Sequence, residues 1–326
     1  MTLRAGETAR EEIESTLGVE APPLHTTRSR FRRKFSLLSL ATGFLTLCVV
    51  AMLVIILWNI VFNGIGGLTW TFLTSEPTHG MTEGGIFPAI FGTVFLVILM
   101  TIAVIPLGVT TAIYLRHYAR PDSRISRLVR VAVNNLAGVP SIVFGLFGLG
   151  FFIQFVGKGI DNAFYGGELA YAQPAIIWAS LTLALLTLPV VIVATEEAMR
   201  SIPKSFIEAS YALGATRWQT IRRIVLPNSM TGILTGGILA VSRGAGEVAP
   251  IMFTGAAYFL PYLPSKLNDQ FMELGYHVYV LSTQSPNVDE TLPLLYSTVL
   301  VLLLLTFALN ALAVLIRIRI RSKQVR

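Results

Sequence analysis

Charge is what this sequence has least of. Only 13% of its 326 residues are Asp, Glu, Lys or Arg, about half the share of a soluble domain, whereas 53% are hydrophobic. As two soluble domains, a chain of this length would need two polar shells; its polar residues do not cover one. A soluble enzyme, a disordered chain and a disulfide-stapled secreted domain are thereby excluded, and an integral membrane protein remains. Cysteine is nearly absent as well. Cys48 stands alone in an apolar run, so no internal disulfide can form, and no Cys/His cluster has zinc spacing. The four histidines, His25, His79, His117 and His277, are scattered and read as solvent-facing or interfacial. Also missing is a GxxxxGK[ST] phosphate loop. The one Gly-Lys pair, Gly157-Lys158, lacks both the upstream glycine and the following Ser/Thr, so nucleotide hydrolysis is not expected of this chain and it is not read as an enzyme.

What the sequence does have is apolar runs long enough to cross a bilayer, which takes about 20 residues of helix. Six stand out, near 37–62, 86–114, 131–156, 174–194, 231–255 and 292–316. They predict an all-α integral membrane protein with six transmembrane helices over 36–317. A polar N-terminal tail over 1–35, largely disordered, precedes them, and a basic tail over 318–326 follows. The tail's end, Arg28, Arg30, Arg32, Arg33 and Lys34, suits an anionic membrane surface. The first run is too long for a secretory signal and lacks its cleavage site, so it reads as an uncleaved anchor. Six spans put both termini on one side, and 22 of the 25 basic residues fall on that side. Only Lys158 and Lys266 lie opposite, and Arg243 is inside a span. By the positive-inside rule both termini are cytoplasmic. The net charge of +7 is therefore a topology signal, and no nucleic acid partner is expected. The long outer loop over 256–291 is rich in Tyr and Phe. It reads equally as an interfacial aromatic belt or as a re-entrant or amphipathic segment.

The cytoplasmic segment 196–229 has its own grammar. Pro203 suits the first turn of a short helix, and Ser205 with Glu208 can support its start. Gly214 suits the left-handed position past its end. Thr216 and Gln219 form a second capping box, opening a helix that Pro227 closes. The prediction is a helix–Gly–helix hairpin on the membrane surface. Within the fifth run, Arg243 and Glu247 are four residues apart and can pair on one helix face. A charge at bilayer depth costs about 2.5–3.5 kcal/mol on insertion scales, which makes it a functional candidate. Gly232, Gly236 and Ala240 make the adjoining surface narrow, so a neighbouring helix can approach. An Arg fork offers two parallel charge-assisted hydrogen bonds to an oxyanion; a salt bridge that merely locks helices is the alternative. In the third run, Gly138, Pro140, Gly145, Gly148 and Gly150 suit tight packing or a kinked, cavity-lining helix. Asn134, Asn135 and Ser141 are candidate uncharged donors there.

These stretches carry a resemblance. Glu208-Ala209-Ser210, Gly214 and Ile224-Val225-Leu226-Pro227 resemble the EAA loop of ABC-importer permeases, EAA-x3-G-x9-I-x-LP, with Ser210 where the motif has Ala. The segment from Ala240 to Pro250, together with Gly84–Pro88 and Asn135–Gly148, is similar to phosphate permeases of the PstA type. The resemblance implies an ABC importer type I permease fold in a bacterial inner membrane. It implies that Glu208, Ala209, Gly214 and Pro227 dock an ATPase, and that Arg243 and Glu247, with Asn134, Asn135 and Ser141, line the substrate pathway. It also implies partners: a PstC-type second permease, a PstB-type ATP-binding dimer carrying ATP and Mg, and a periplasmic PstS-type phosphate-binding protein. No cofactor or metal is expected in this chain. A permease for phosphonate, sulfate or molybdate, an ATP-independent secondary transporter and a membrane scaffold remain alternatives.

Overall fold

The structure, a computed structural model, describes residues 28–78, 83–120, 123–285 and 288–324. Most of the predicted N-terminal tail, with His25, and His79 lie outside them. The chain divides into two compact units, residues 1–58 and 59–326. The described part of the first is the N-terminal stretch of α1 (Arg28–Gly64), whose opening turns carry the basic cluster.

In the second unit, α2 (Trp70–Thr74) starts on a Thr69 hydroxyl cap, and β1 (Pro77–Thr78) pairs antiparallel with β2 (Glu83–Gly84). Then come α3 (Phe87–Ile113), α4 (Arg124–Leu136), α5 (Ser141–Phe147), α6 (Lys158–Phe164) and α7 (Ile176–Arg200). They are followed by α8 (Lys204–Ala212), α9 (Arg217–Thr220), α10 (Leu226–Gly244), α11 (Ala249–Met252), α12 (Leu274–Thr283) and α13 (Val288–Gln324). Wider π turns at Gly148–Gly157 and Ile221–Val225 join α5 to α6 and α9 to α10. Among the described residues, six helical stretches are long and apolar enough to cross a membrane: Leu38–Gly67, Phe87–Tyr118, Ser141–Phe164, Ile176–Arg200, Arg217–Gly244 and Thr291–Ile320.

The third and fifth spans differ from the expected ones, and so does the role of Pro227. The third span runs over Ser141–Phe164 rather than 131–156, because Gly138 and Pro140 break the chain after α4. The apolar residues before the break belong to α4, where Val129 and Val133 pack on Ala112, Leu115 and Ile192. Arg130 pins that helix, donating to Glu196 at 3.0 Å and to the Leu115 carbonyl at 3.1 Å. The fifth helix begins early, at Arg217, and ends at Gly244. Pro227 does not close a helix but lies within this one, since the π turn before it supplies a Leu226 N–H to Ile221 O bond. Neighbouring carbonyls take side-chain donors: Asn228 bonds Ile224 O at 2.6 Å and Ser229 bonds Val225 O at 2.8 Å.

The core lies between α3, α7 and α10, from Leu96, Met100 and Val104 to Leu183, Val191 and Ala240. Small residues set the spacing. A Cβ at Gly236 would come within 2.9 Å of the Ala194 Cβ, and Gly232 abuts Ala198, so α10 lies directly on α7 as the Gly-x-x-x-Gly spacing predicts.

Candidate functional site

Two groups of residues carry chemistry, and the chain builds them differently. The first is the hairpin between the fourth and fifth spans. Helix α8 starts directly after Pro203, which makes no side-chain cap, so Ser205 and Glu208 do not form the expected box. Just past its end lies Gly214, whose φ of +77° is the left-handed conformation that favours glycine. The predicted box at the next helix is present: the Thr216 hydroxyl accepts the Gln219 N–H while the Gln219 carboxamide oxygen accepts the Thr216 N–H. The two short helices are tied by a buried hydrogen bond of 2.9 Å between the Ser210 and Thr220 hydroxyls, which gives the departure from Ala at 210 a structural use. Between them lies a groove of about 680 Å³ lined by Phe206, Ala209, Leu213, Gly214, Gln219, Arg223 and Asn228. Glu208, Ala209, Gly214 and Pro227 are all exposed. Leu213 is 89% exposed and Phe206 51%, an unusual presentation of large apolar side chains beside arginines.

The second group lies where α10 stops. Arg243 Nε donates to Glu247 Oε1 at 3.4 Å, so the two charges meet. They do not meet on one helix face, however, because α10 ends at Gly244 and Glu247 follows in the turn before α11. The side chains are 40% and 21% exposed. Only Nε of Arg243 is engaged: its two terminal nitrogens have no hydrogen-bond partner among the described residues. Beside it, Asn310 of α13 donates to Ser242 Oγ at 3.3 Å, and the Asn310 Oδ1 is buried without a partner. Asn310 is a site residue that the sequence reading does not single out; a lone carboxamide inside the run VLLLLTFALNALAVLI is its signal.

Other predicted site residues are distributed differently. Asn134 and Asn135 are exposed on α4, outside the third span, and neither bonds the charge pair. Ser141 begins α5, and one turn along that helix a Cβ at Gly145 would come within 3.0 Å of the Ala249 carbonyl and the Pro250 Cα. Gly145 therefore serves close packing on the segment just after Glu247, while Gly148 packs against Thr182 and Thr254 and Gly150 faces open space.

The loop over 256–291 folds inward. Phe271, Met272, Glu273, Leu274 and His277 are each 2% exposed or less, while Tyr258 and Tyr262 stay exposed. His277 is therefore neither solvent-facing nor interfacial, since the insert closes over it. Burial drives its pKa down to about 4 and the Glu273 carboxyl up to about 7.

Residues 104–322 match the family described as the binding-protein-dependent transport system inner membrane component. A Bacillus subtilis protein named a probable ABC transporter permease, YqgI, is 33% identical over 83% of this chain and 92% of its own length. A Mycobacterium tuberculosis protein named phosphate transport system permease protein PstA 1 is 37% identical over 68% of this chain and 69% of its own. A bacterial alginate ABC transporter crystallised with an alginate-bound periplasmic protein superposes with a TM-score of 0.60 at 17% identity. The match covers 90% of this chain and 99% of that one. The methionine transporter MetNI, facing inward, gives 0.53 at 18% identity over 71% of this chain and 94% of that one. The fold is that of ABC importer permeases.

Proposed function

The chain belongs to the family of binding-protein-dependent transport inner-membrane components, and from that premise we propose that it is the PstA-type permease subunit of an ATP-driven phosphate importer. Relatives named for phosphate transport support the cargo. The observation that carries it in this chain is the state of Arg243. Glu247 engages Nε and so orients the guanidinium, while the two terminal nitrogens have no partner among the described residues. A planar fork with two open donors matches the edge of a tetrahedral oxyanion. Glu247 also balances the positive charge, so an anion is drawn in without being trapped, as passage through a pore requires.

The remaining parts follow from the hairpin and from the charge distribution. The exposed groove around Phe206, Ala209, Leu213 and Gly214 supports docking of an ATPase subunit, with Glu208 and Pro227 alongside. A PstB-type pair would bind ATP and Mg²⁺ and supply hydrolysis in trans; this chain is a pore subunit and not a catalyst. A PstC-type permease completes the pore, and a periplasmic PstS-type protein delivers phosphate. The basic excess on the side of the hairpin supports cytoplasmic termini in an inner membrane. ATP-driven closure of the ATPase pair moves the hairpin, and the continuous helix Arg217–Gly244 transmits that motion to Arg243 near its far end. The test is uptake of radiolabelled phosphate by the complete complex. Gly214→Asp should abolish both uptake and ATPase co-purification; normal co-purification would contradict the docking role.

A further inference from the structure

Glu273 and His277 have no part in the pathway just described, yet both are buried one helical turn apart at the start of α12. A buried carboxylate normally sits beside a cation. Here the ion pairs of the described residues join Arg130 to Glu196, Arg200 to Glu197 and Arg243 to Glu247, and Glu273 is held by backbone and hydroxyl groups instead. Its Oε2 accepts the Tyr276 N–H at 2.7 Å, and the Gly275 N–H donates to the same carboxylate. The Leu274 N–H donates at 3.0 Å to the hydroxyl of Thr93 on α3, and that hydroxyl is 3.5 Å from Glu273 Oε1. The first three amides of α12 therefore all have acceptors, one of them on another span.

The same turn of helix packs on the residue next to Glu247. A Cβ at Gly275 would come within 2.9 Å of Val248 Cγ2, and Val248 is the residue after Glu247. On the other side, Gly92 of α3 lets the Met272 carbonyl approach its backbone. The start of α12 is thus a wedge between the second span and the turn that carries Glu247.

We propose that Glu273 is a proton-operated positioning residue: protonated, it stays buried and holds the wedge against the 245–248 turn, and deprotonated, its charge draws the start of α12 toward water and frees that turn. The sign follows from solvation. The closed wedge disfavours the ionised carboxyl, so it binds the proton more tightly than an opened, hydrated one. Burial moves the Glu273 carboxyl up to about 7, which puts the change near neutrality. His277, pushed down to about 4, stays neutral over that range and is not the switching group. Few other titratable groups adjoin Glu273. Helix α3 contributes none, the turn contributes Glu247, already held by Arg243, and the described side chains of α13 before Arg317 include only Tyr296. On its own helix Tyr276 and Tyr279 stack at 6.1 Å between ring centroids, and Tyr258 approaches Tyr276.

The inference rests on the transport reading for its consequence and for the first of its tests, but not for the two stability tests that follow. Phosphate-stimulated ATP hydrolysis by the complete complex in proteoliposomes, measured from pH 5.5 to 8.5, should change at least threefold with a midpoint near 7. Glu273→Gln should flatten the profile to its low-pH level. An unchanged profile in Glu273→Gln would overturn the proposal. Thermal unfolding provides a readout free of cargo: because the penalty grows from the ordinary carboxyl pKa up to about 7, Glu273→Gln should raise Tm relative to wild type clearly more at pH 8 than at pH 5.5, and an equal shift at both would overturn it. In wild type alone, hydrogen exchange at the amides of Leu274, Gly275 and Tyr276 should lose protection, after correction for intrinsic rates, as pH rises from 6 to 8. Constant protection would contradict the wedge whether or not a variant assembles. If phosphate fails to stimulate wild type at any pH while these stability shifts appear, the cargo assignment falls and Glu273 stands.

Discussion

The hairpin of 203–227 and the insert of 256–283 are both connections between spans, and they handle apolar side chains in opposite ways. The hairpin points Leu213, Phe206 and Trp218 outward, at 89%, 51% and 54% exposure, the first two lining a groove. The insert turns Phe271, Met272 and Leu274 inward against α3 and the end of the fifth span. An exposed apolar residue in a loop gains nothing until a partner covers it, whereas a buried one contributes to the fold at once. The hairpin therefore suits the subunit contact proposed for it, whereas the insert packs within this chain.

Substitutions can break that contrast. The largest effect is expected in the insert: Leu274→Asp places an unpaired charge in a closed site, costs about 3 kcal/mol or more, and should leave little folded protein on size-exclusion chromatography. Gly214→Asp comes next. An L residue at φ +77° costs about 1–2 kcal/mol, so the permease should still fold, while the ATPase subunit is lost from co-purification. Smaller again is Leu213→Asp, where unfolding should move by less than about 0.5 kcal/mol but retention of the ATPase should weaken at least tenfold. If Leu213→Asp instead unfolds the protein, the hairpin is part of the core and the contrast fails. The smallest effect is Ser210→Ala, which removes the 2.9 Å bond to Thr220. Because Thr220 keeps its bond to Thr216 O at 3.1 Å, calorimetry should show a loss of about 1 kcal/mol with uptake unchanged.

The same contrast explains what could be read from the residues. Gly214 and the Thr216–Gln219 box depend on a few neighbouring backbone groups, and their local rules were sufficient. The six spans were legible because lipid imposes a composition on every residue of a crossing helix. Helix ends were harder. Pro227 looked like a terminator, but a π turn and two side-chain donors absorb it. The end of α10 at Gly244, which moves Glu247 off the helix face, follows from packing of Ala245 and Ile251 into the central core rather than from any strong local breaker. Asn134 and Asn135 fall inside the apolar run 131–156, but Val129 and Val133 beside them fasten α4 to its neighbours instead. The insert was least legible. Pro261, Pro264 and scattered polar residues interrupt every periodic pattern there, and only tertiary contact with Thr93 and Val248 gives Glu273 its role.

The central claim is that Arg243 presents a free fork to phosphate. The most direct measurement is initial uptake of radiolabelled phosphate by proteoliposomes containing the complete complex, wild type against Arg243→Gln, with sulfate and molybdate as competitors. The account expects Arg243→Gln to assemble normally and to lose at least about 30-fold in rate, equivalent to about 2 kcal/mol, with wild-type uptake unaffected by the competitors. Uptake by Arg243→Gln at the wild-type rate, or wild-type uptake blocked equally well by sulfate, would contradict it.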